Sequence, residues 1–382
     1  MIDPAFYLDN AATTAPFPEV IQGALPFLET AYGNPSSLHA LGVEASRAVK
    51  GAREALARLV GVPPKGVIFT SGGTESDNLA LRGVFASERL KGDRLLVSAI
   101  EHPAVAETAR ALAGQGVRLE VIPVTRDGVV DLPRLEAMLD GDVRMVSVMA
   151  INNEIGTRQP LVEIGALLRQ KASRAIFHVD AVQAFAKEPI PWREAGVHML
   201  SVSGHKIHGV KGVGALICCQ PVPLAPLQMG GGQEEGLRSG TENPFGVVAL
   251  AHAAQEASRM HTEQRKARAA YHQKWLAFLD GFPRVQVYRS EHETPYMINL
   301  RVEPVPAEVI LHHLEQEGVL VSTGSACHTR KPEPSQVLLA VGLERQEALS
   351  SVRLSFSIHN TLESLERLFP AVERAFNKLA KL

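Results

Sequence analysis

The stretch Ala175-Ile176-Phe177-His178-Val179-Asp180-Ala181-Val182-Gln183 joins a short apolar run to a carboxylate and an amide. Four further apolar runs end in small or polar residues, at 66–70, 94–98, 144–149 and 198–202. Runs of this length are typical of buried strands in an α/β sheet, whose functional loops lie at the carboxyl ends of the strands. The sequence therefore predicts strands with polar groups placed where each strand ends.

Helical periodicity separates these runs, most clearly at residues 44–59, where apolar residues recur at spacings of three and four. Alternating strands and helices predict a layered α/β domain. Residues 244–279 form a long Ala-rich, charged helical stretch, and shorter strand and helix signals return beyond Tyr296. We therefore expect a large domain at residues 15–250 and a smaller domain made of residues 1–14 and 251–382.

The composition limits the class of protein and its partners. Of 382 residues, 45% are hydrophobic and 21% are charged, which excludes disordered, collagen-like and fibrous classes. The 39 Lys and Arg residues nearly balance the 41 Asp and Glu residues, for a formal net charge of -2. This balance provides no field to hold nucleic acid or an acidic membrane, so we expect small-molecule partners.

Cysteine usage and hydropathy predict the compartment. Cys218, Cys219 and Cys327 cannot form a disulfide framework, which indicates a reducing environment. The N-terminus lacks a basic region followed by an apolar one, and no apolar run approaches the roughly 20 residues that span a bilayer. We therefore expect a cytoplasmic protein with no membrane segment.

Lys206 and Asp180 follow strand signals and suit covalent or acid-base chemistry. Desolvation at a strand end would lower the pKa of the Lys206 amine and make it a nucleophile; a surface lysine is the alternative. A buried Asp180 needs a cation, such as the protonated ring nitrogen of pyridoxal phosphate, unless it caps a helix starting at residue 181. His205 and His208 lack a Cys pair or a carboxylate at ligand spacing, so we expect no metal.

Residues 71–76, Ser-Gly-Gly-Thr-Glu-Ser, lie between a strand and a helix that we expect to open near Asp77. Backbone N–H groups at such a helix start could hold a phosphate, although the segment matches neither a Walker loop nor the G-x-G-x-x-G spacing. A plain glycine turn remains open. His102, after another strand, is a candidate for ring stacking or proton transfer, or a structural histidine.

Cys327 stands in a polar, cationic segment, residues 322–334, that would expose the thiol and favour the thiolate. Cys218 and Cys219 end an apolar run and should be buried in strand packing. An incidental loop cysteine is the alternative for Cys327.

Arg353 alternates with Val352 and Leu354, so its guanidinium would project from the opposite face of a strand. A fork-shaped cation there suits a substrate carboxylate, and an internal ion pair is the alternative.

Eight ordered segments resemble the cysteine desulfurases, a branch of the class V aminotransferases with the pyridoxal-phosphate fold type I. They are Leu8-Asp9-Asn10-Ala11-Ala12-Thr13-Thr14, Gly33-Asn34-Pro35-Ser36-Ser37, Phe69-Thr70-Ser71-Gly72-Gly73-Thr74-Glu75-Ser76-Asp77-Asn78, Asn152-Asn153-Glu154-Ile155-Gly156, His178-Val179-Asp180-Ala181-Val182-Gln183, Ser203-Gly204-His205-Lys206, Arg238-Ser239-Gly240-Thr241 and Ser325-Ala326-Cys327. The resemblance runs almost end to end, and its cysteine context is that of the first group, the iron-sulfur-cluster and nitrogen-fixation type. It implies a large domain with a mainly parallel seven-stranded sheet flanked by helices, and a smaller α/β domain.

The resemblance also implies a role for each matching residue. Lys206 would hold pyridoxal 5'-phosphate as an imine, Asp180 would pair with its ring nitrogen, Gln183 would bond its phenolic oxygen and His102 would stack on its face. Gly73, Thr74, Ser203 and His205 would hold the phosphate, with Thr241 reaching in from the second subunit of a homodimer. Asn153, beside the cofactor, and Arg353 would take the substrate carboxylate, with help from Asn34.

The implied reaction removes sulfur from L-cysteine and leaves L-alanine. Lys206 and His102 would carry protons, and the Cys327 thiolate would take the sulfur as a persulfide for a protein acceptor. Gly324 and the Pro-rich residues after Cys327 favour a long, mobile loop. Residues 328–331, His-Thr-Arg-Lys, replace the small residues usual in the family's cluster-assembly members, which leaves the acceptor open.

Three other interpretations stay open. A same-fold aminotransferase would need no catalytic thiol, and a selenocysteine lyase could use the same site. A non-catalytic adaptor would have lost the cofactor, although the presence of Lys206, Asp180 and His102 argues against such a loss.

Overall fold

The computed structural model describes residues 3–323 and 333–380. The strands are β1 (Val67–Thr70), β2 (Arg94–Ser98), β3 (Arg118–Ile122), β4 (Val143–Ser147), β5 (Ile176–Asp180), β6 (Met199–Ser203), β7 (Gly214–Cys218), β8 (Val285–Val287), β9 (Met297–Val302), β10 (Ser322–Thr323) and β11 (Ser351–Ser355). The α-helices are α1 (Pro18–Ala24), α2 (Pro26–Glu29), α3 (Ala40–Val60), α4 (Gly73–Phe85), α5 (Pro103–Ala113), α6 (Leu132–Met138), α7 (Leu161–Lys171), α8 (Trp192–Ala195), α9 (Pro244–Glu263), α10 (Arg265–Leu279), α11 (Ala307–Gln316), α12 (Gln336–Ala340), α13 (Arg345–Leu349) and α14 (Leu365–Leu379). Short 3-10 turns lie at Pro4–Phe6, Pro64–Gly66, Gly204–Lys206, Glu234–Gly236 and Leu362–Ser364.

The larger sheet has seven strands in the order β1-β7-β6-β5-β4-β2-β3. Strands β3, β2, β4, β5 and β6 run parallel, and β7 is antiparallel to both of its neighbours. The predicted α/β class with a mainly parallel seven-stranded sheet is therefore confirmed. The carboxyl ends of β2, β4, β5 and β6 consequently meet at one edge of the sheet.

Helices cover both faces of this sheet. Alternate residues of each strand point to opposite faces, so each strand contributes side chains to both layers. Phe177 and Val179 of β5 pack in the cluster that contains buried residues of α3, α7 and α9. Ile176 packs on the other side with residues of α4 and α5. Parallel strands buried on both faces read as continuous apolar runs, which is why the strand predictions succeeded.

The helix predicted at residues 44–59 runs from Ala40 to Val60. Its buried stripe includes Ala45, Val49, Ala52 and Leu56. Gly61 follows the helix with a φ of 79°, the left-handed conformation that glycine adopts without steric cost. The predicted stretch 244–279 is two helices, α9 and α10, which meet at Gln264.

The smaller sheet has the order β10-β11-β9-β8 and is antiparallel throughout. Its apolar side packs with α10, α11 and α14 in a cluster that also contains Leu8 from the N-terminal segment. Helix α9 extends past residue 250 and packs in the larger cluster as far as Ala257. We therefore propose that the two domains divide near Gln264 rather than at 250.

The N-terminal segment connects the smaller sheet to the edge of the larger one. The Leu8 backbone N–H donates to Leu320 O at 2.8 Å, and the Asn10 side chain donates to Ser355 O at 3.0 Å. Four residues later, the Thr14 N–H donates to His205 O at 2.9 Å.

None of the helices in the described part of the chain combines the length and apolar character that a bilayer crossing requires.

Candidate active site

Lys206 lies in the 3-10 turn that follows β6 and is held by the N-terminal segment. Its Nζ donates to Ala11 O at 2.6 Å and to Ala12 O at 2.8 Å. Burial, followed by the positive charge of Arg353, lowers the pKa of the amine from 10.5 to about 8. The surface-lysine alternative is therefore wrong, and a neutral, nucleophilic amine is available just above neutral pH.

Asp180 is the last residue of β5, and only 5% of its surface is exposed. Its Oδ1 accepts from the Val182 N–H at 2.9 Å. Burial raises the pKa of this carboxyl, and the nearby charges of His102 and Lys206 lower it. The residues after Asp180 form turns rather than an α-helix, so the helix N-cap alternative is wrong.

Several buried polar groups lie behind Asp180. His178 Nδ1 is 2.8 Å from Ser147 Oγ, and its Nε2 is 2.9 Å from Ser201 Oγ. Burial lowers the pKa of this imidazole to about 3, so it is neutral. Asp77 and Glu101 are also buried, and burial raises the pKa of both carboxyls.

The edge of the sheet offers a cradle that fits a phosphate group. Helix α4 begins at Gly73, four residues before the predicted start at Asp77, and no side chain in residues 3–323 or 333–380 caps its N-terminus. Ser203 Oγ is buried and has no hydrogen-bond partner within the described residues. A Cβ on Gly73 would lie 2.7 Å from Val182 Cγ2, so the Val182 side chain would have to move to admit a larger residue. Free helix N–H groups and an unpartnered hydroxyl suit an anion.

Thr74 and His205 flank this cradle. Thr74 is exposed in the first turn of α4 and adjoins a cavity of about 490 Å³ that His102 also lines. His205 Nδ1 is 3.2 Å from Thr13 Oγ1, and burial lowers the pKa of this imidazole to about 4. A buried carboxylate for a ring nitrogen and a cradle for a phosphate together fit pyridoxal phosphate.

His102 combines a structural role with a place in the site. It is the N-cap of α5, and its Nδ1 accepts from the Ala104 N–H at 3.1 Å. Burial lowers its pKa, and Asp180 and Lys206 are close enough to influence its charge. Because Nδ1 is the acceptor, the neutral ring carries its proton on Nε2.

Arg353 is buried and forms the internal ion pair that the sequence left open. Its Nη2 donates to Asp9 Oδ1 at 2.8 Å, and its Nη1 donates to the Asn153 carbonyl at 2.6 Å. Its Nε has no partner among the described residues. The structure thus joins Arg353 and Asn153, and it leaves the buried Nε–H of the guanidinium without an acceptor among the described residues.

Gln183 lies beside Lys206 at the same carbonyl. Its Nε2 donates to Ala11 O at 2.9 Å, and its Oε1 accepts from Lys187 Nζ at 3.2 Å. The predicted site residues Lys206, Asp180, Gln183, His102, Ser203 and His205 thus lie at or near one edge of the sheet.

Other predicted site residues are not joined to this cluster. Asn34 is exposed, and its Oδ1 accepts from the Ser36 N–H at 2.9 Å. Thr241 is exposed, and no described contact links it to Lys206. Cys327 lies outside the described residues. Cys219 is buried as predicted and Cys218 is half-buried, and burial raises the pKa of both thiols to about 12, which disfavours the thiolate form.

Sequence reasoning assigned no role to four groups at the site: Asp9, Asp77, Glu101 and Lys187. Asp9 and Asp77 stood inside quoted motifs, and Glu101 precedes His102, so adjacency was the available signal. Lys187 follows Gln183 by four residues, a spacing that can bring side chains together.

No group of three His, Cys, Asp or Glu residues in the described ranges could hold a metal ion.

Comparisons with known proteins agree with this arrangement. The family model "Aminotransferase class-V" matches residues 6–368. The cysteine desulfurase IscS of Dictyoglomus turgidum is 39% identical over 383 residues, covering 98% of this chain and 95% of the relative. A solved structure of a NifS-like protein is 34% identical with a TM-score of 0.90, covering 98% of this chain and 99% of that one.

A second solved structure, SspA in complex with cysteine, is 30% identical with a TM-score of 0.79 and covers 92% of this chain and 98% of that one. Family model, relative and structures all extend over most of the chain and include the strand ends where Lys206 and Asp180 lie. On this agreement of sequence, fold and site, the chain belongs to the class V aminotransferase family.

Proposed function

We propose that this protein is a pyridoxal-phosphate-dependent cysteine desulfurase that converts L-cysteine to L-alanine and takes the sulfur onto Cys327. One observation carries the proposal: the low-pKa amine of Lys206, the buried carboxylate of Asp180 and the unpartnered hydroxyl of Ser203 lie at one sheet edge. The cysteine desulfurase relative and the cysteine-bound neighbour support the choice of substrate.

The cofactor would be held at both ends. Gly73, Thr74, Ser203 and His205 would hold the phosphate, because α4 offers free N–H groups there. Asp180 would keep the ring nitrogen protonated, Gln183 would donate to the phenolic oxygen, and His102 would stack on the ring. Pyridoxal phosphate, when bound, stabilises negative charge on the substrate α-carbon.

Lys206 and His102 are the proposed proton carriers. With a pKa of about 8, Lys206 exchanges protons readily near neutral pH, which suits a general base and acid. With Nδ1 bonded to the Ala104 N–H, the neutral His102 ring would offer Nε2–H as a hydrogen-bond donor, and proton transfer by His102 would require the other tautomer. Both side chains are within electrostatic reach of Asp180.

The sulfur step is assigned to the Cys327 thiolate. Its electron pair forms a bond to the substrate sulfur while the carbon–sulfur bond breaks, and the carbon takes a proton. L-cysteine and a thiol thereby give L-alanine and a persulfide, with no external oxidant or reductant.

The substrate carboxylate would be bound by Arg353 and Asn153, with help from Asn34. The free Nε of Arg353 supports this assignment, and the Asp9 ion pair keeps the guanidinium in place.

The partners are also proposals. A second copy of the chain would supply Thr241 to the phosphate, which agrees with the exposure of that residue. A protein acceptor would then remove the persulfide sulfur. The described cysteines, Cys218 and Cys219, are free thiols, in keeping with a reducing, cytoplasmic location.

Sulfide and alanine production from L-cysteine, with and without a reductant, tests the proposal. We expect Lys206→Ala and Cys327→Ser each to lose sulfide release by at least a hundredfold, roughly the effect of removing a covalent catalyst. Only Lys206→Ala should also lose the absorption band of the lysine-bound cofactor. Cys218→Ala is the matched control and should retain activity, because that half-buried thiol has a pKa raised to about 12 and stays protonated.

The alternatives give different results in the same assay. Full cysteine turnover by Cys327→Ser would favour an aminotransferase of the same fold. A strong preference for selenocysteine over cysteine would favour the lyase. Wild-type protein that shows no cofactor band after incubation with pyridoxal phosphate would be an adaptor.

A further inference from the structure

Lys187 is a partly buried lysine beside the site for which neither the motifs nor the proposed reaction has a use. It lies in the turns between β5 and α8, and its Nζ donates to Gln183 Oε1 at 3.2 Å. Within the described residues, no ion pair involves this ammonium. The neighbouring Glu188 carboxylate is occupied, since it accepts from Arg158 at 3.0 Å and from Thr294.

The backbone holds Lys187 in this position. Ala186, the preceding residue, has a φ of 58°, a left-handed conformation that is unfavourable for a residue with a Cβ. Tyr296 Oη donates to the Lys187 carbonyl at 3.4 Å. The chain therefore turns at Ala186, and the hydrogen bond from Tyr296 to the Lys187 carbonyl holds this turn. The Lys187 ammonium consequently lies beside Gln183.

The contact with Lys187 determines which way the Gln183 amide points. When protonated, Lys187 can only donate, so its contact with Oε1 favours the amide orientation in which the carbonyl end faces Lys187. The NH2 end then faces Ala11 O, the carbonyl that Lys206 Nζ also contacts. The Gln183 donor is thus directed to the place where Lys206 acts.

The charges around Lys187 are mostly positive. Burial has the largest effect on the pKa of Lys187 and lowers it to about 7. The positive charges of Lys206 and Arg353 also lower this pKa, and the Glu188 carboxylate raises it. The charge of Lys187 also lowers the pKa values of three histidines, His205, His208 and His261. An anionic oxygen bound among these groups would be stabilised by every cation in the set.

We propose that Lys187 is a positioning residue of this site: it holds the Gln183 amide with its NH2 toward Lys206 and adds positive charge that favours an anionic oxygen there. The proposal rests on the proposed function, because it takes the phenolic oxygen of the cofactor as that anion. Lys187 itself touches neither Lys206 nor Asp180 by any described hydrogen bond.

The test follows the absorption of the lysine-bound cofactor against pH, together with the cofactor dissociation constant. Lys187→Met should move the pH midpoint upward by about half a unit or more, because a cation and an N–H donor both disfavour a further proton. Cofactor binding should weaken about fivefold, the loss of roughly one hydrogen bond. Lys187→Arg should restore most of both values.

A double-mutant cycle separates positioning from general structural support. If Lys187 acts through Gln183, adding Lys187→Met to Gln183→Met should change the dissociation constant less than it does in the wild type. Lys171→Met is the matched control at an exposed lysine that pairs with Glu136, and it should leave both readouts unchanged.

A wild-type midpoint in folded Lys187→Met, or in Gln183→Met, would overturn the proposal. If Lys187→Met fails to fold, the pH midpoints of cofactor absorption in Gln183→Met and Lys187→Arg test the proposal in its place. Failure of the proposed function looks different, because wild-type protein would then show no cofactor band or produce no alanine.

Discussion

At the scale of single residues, burial sets the protonation state of most groups around the site. Burial lowers the pKa of the Lys206 amine and the His178 imidazole and raises the pKa of Glu101 to about 8. These directions agree with the cost of placing a charge in a poorly solvated interior. At pH 7 the Glu101 carboxyl and the His178 imidazole are therefore largely neutral, whereas the Lys206 amine is still mainly protonated and loses its charge near pH 8.

Lys206 leads to a prediction about pH. Its amine must lose a proton before it can attack an aldehyde, and its pKa in the folded protein is about 8 rather than 10.5. We expect the rate of cofactor capture by apo-protein to rise with pH and level off above about 8. Stopped-flow absorbance on mixing with pyridoxal phosphate between pH 6 and 10 measures this, and a midpoint near 10.5 would contradict it.

At the scale of elements, glycines allow close approach between helices that flank the sheet. In α7, a Cβ on Gly165 would lie 1.8 Å from the Ala195 carbonyl oxygen at the end of α8. In α3, a Cβ on Gly51 would meet no atom of the described residues within 4 Å. Helix packing therefore requires a glycine at position 165, whereas Gly51 has no such contact and only lowers the stability of helix α3.

Substituting these two glycines should therefore have opposite effects. Gly165→Ala should destabilise the protein by about 2 kcal/mol or more, because backbone atoms must move to admit the methyl group. Gly51→Ala should stabilise it by about 0.5 to 1 kcal/mol, since alanine is the better helix former. Urea unfolding of both variants provides the measurement, and equal free energies would contradict the packing.

At the scale of the whole molecule, exposed apolar side chains are concentrated near the N-terminal helices. Within residues 25–38, Leu25 is 36%, Leu28 57%, Tyr32 67% and Leu38 96% exposed. Exposed apolar surface of this kind marks association sites. We propose this stretch as part of the contact with the second subunit, because no described residue covers these apolar side chains.

Sedimentation tests the dimer. We expect Leu38→Glu to raise the dimer dissociation constant about a hundredfold, since an unpaired charge would be buried at the interface. Val121→Glu is the matched control, because Val121 is 56% exposed on the edge strand β3. Wild-type protein that sediments as a monomer at micromolar concentration would refute the interface.

Strands β1, β2, β4, β5 and β6, and the positions of Asp180 and Lys206 at strand ends, could be predicted from local pattern. The edge strand β3 was not predicted, because its partly exposed residues do not form an apolar run. Apolar runs, turn residues and helical spacing are properties of neighbouring residues, so they are legible without a fold. Local pattern placed the start of α4 too late, because the helix includes Gly73 and Thr74 although a glycine pair disfavours helix. The first turn of a helix tolerates such residues, because its N–H groups have no partners within the helix.

The contacts that complete the site depended on tertiary structure. Arg353 meets Asp9 across 344 positions of sequence, and Lys206 meets Ala11 across 195. Such proximity follows from the strand order, which is not the chain order, and from the path of the N-terminal segment between the two sheets. Local patterns contain no information on which chain-remote elements become neighbours, so they revealed the reactive groups but not the contacts that orient them.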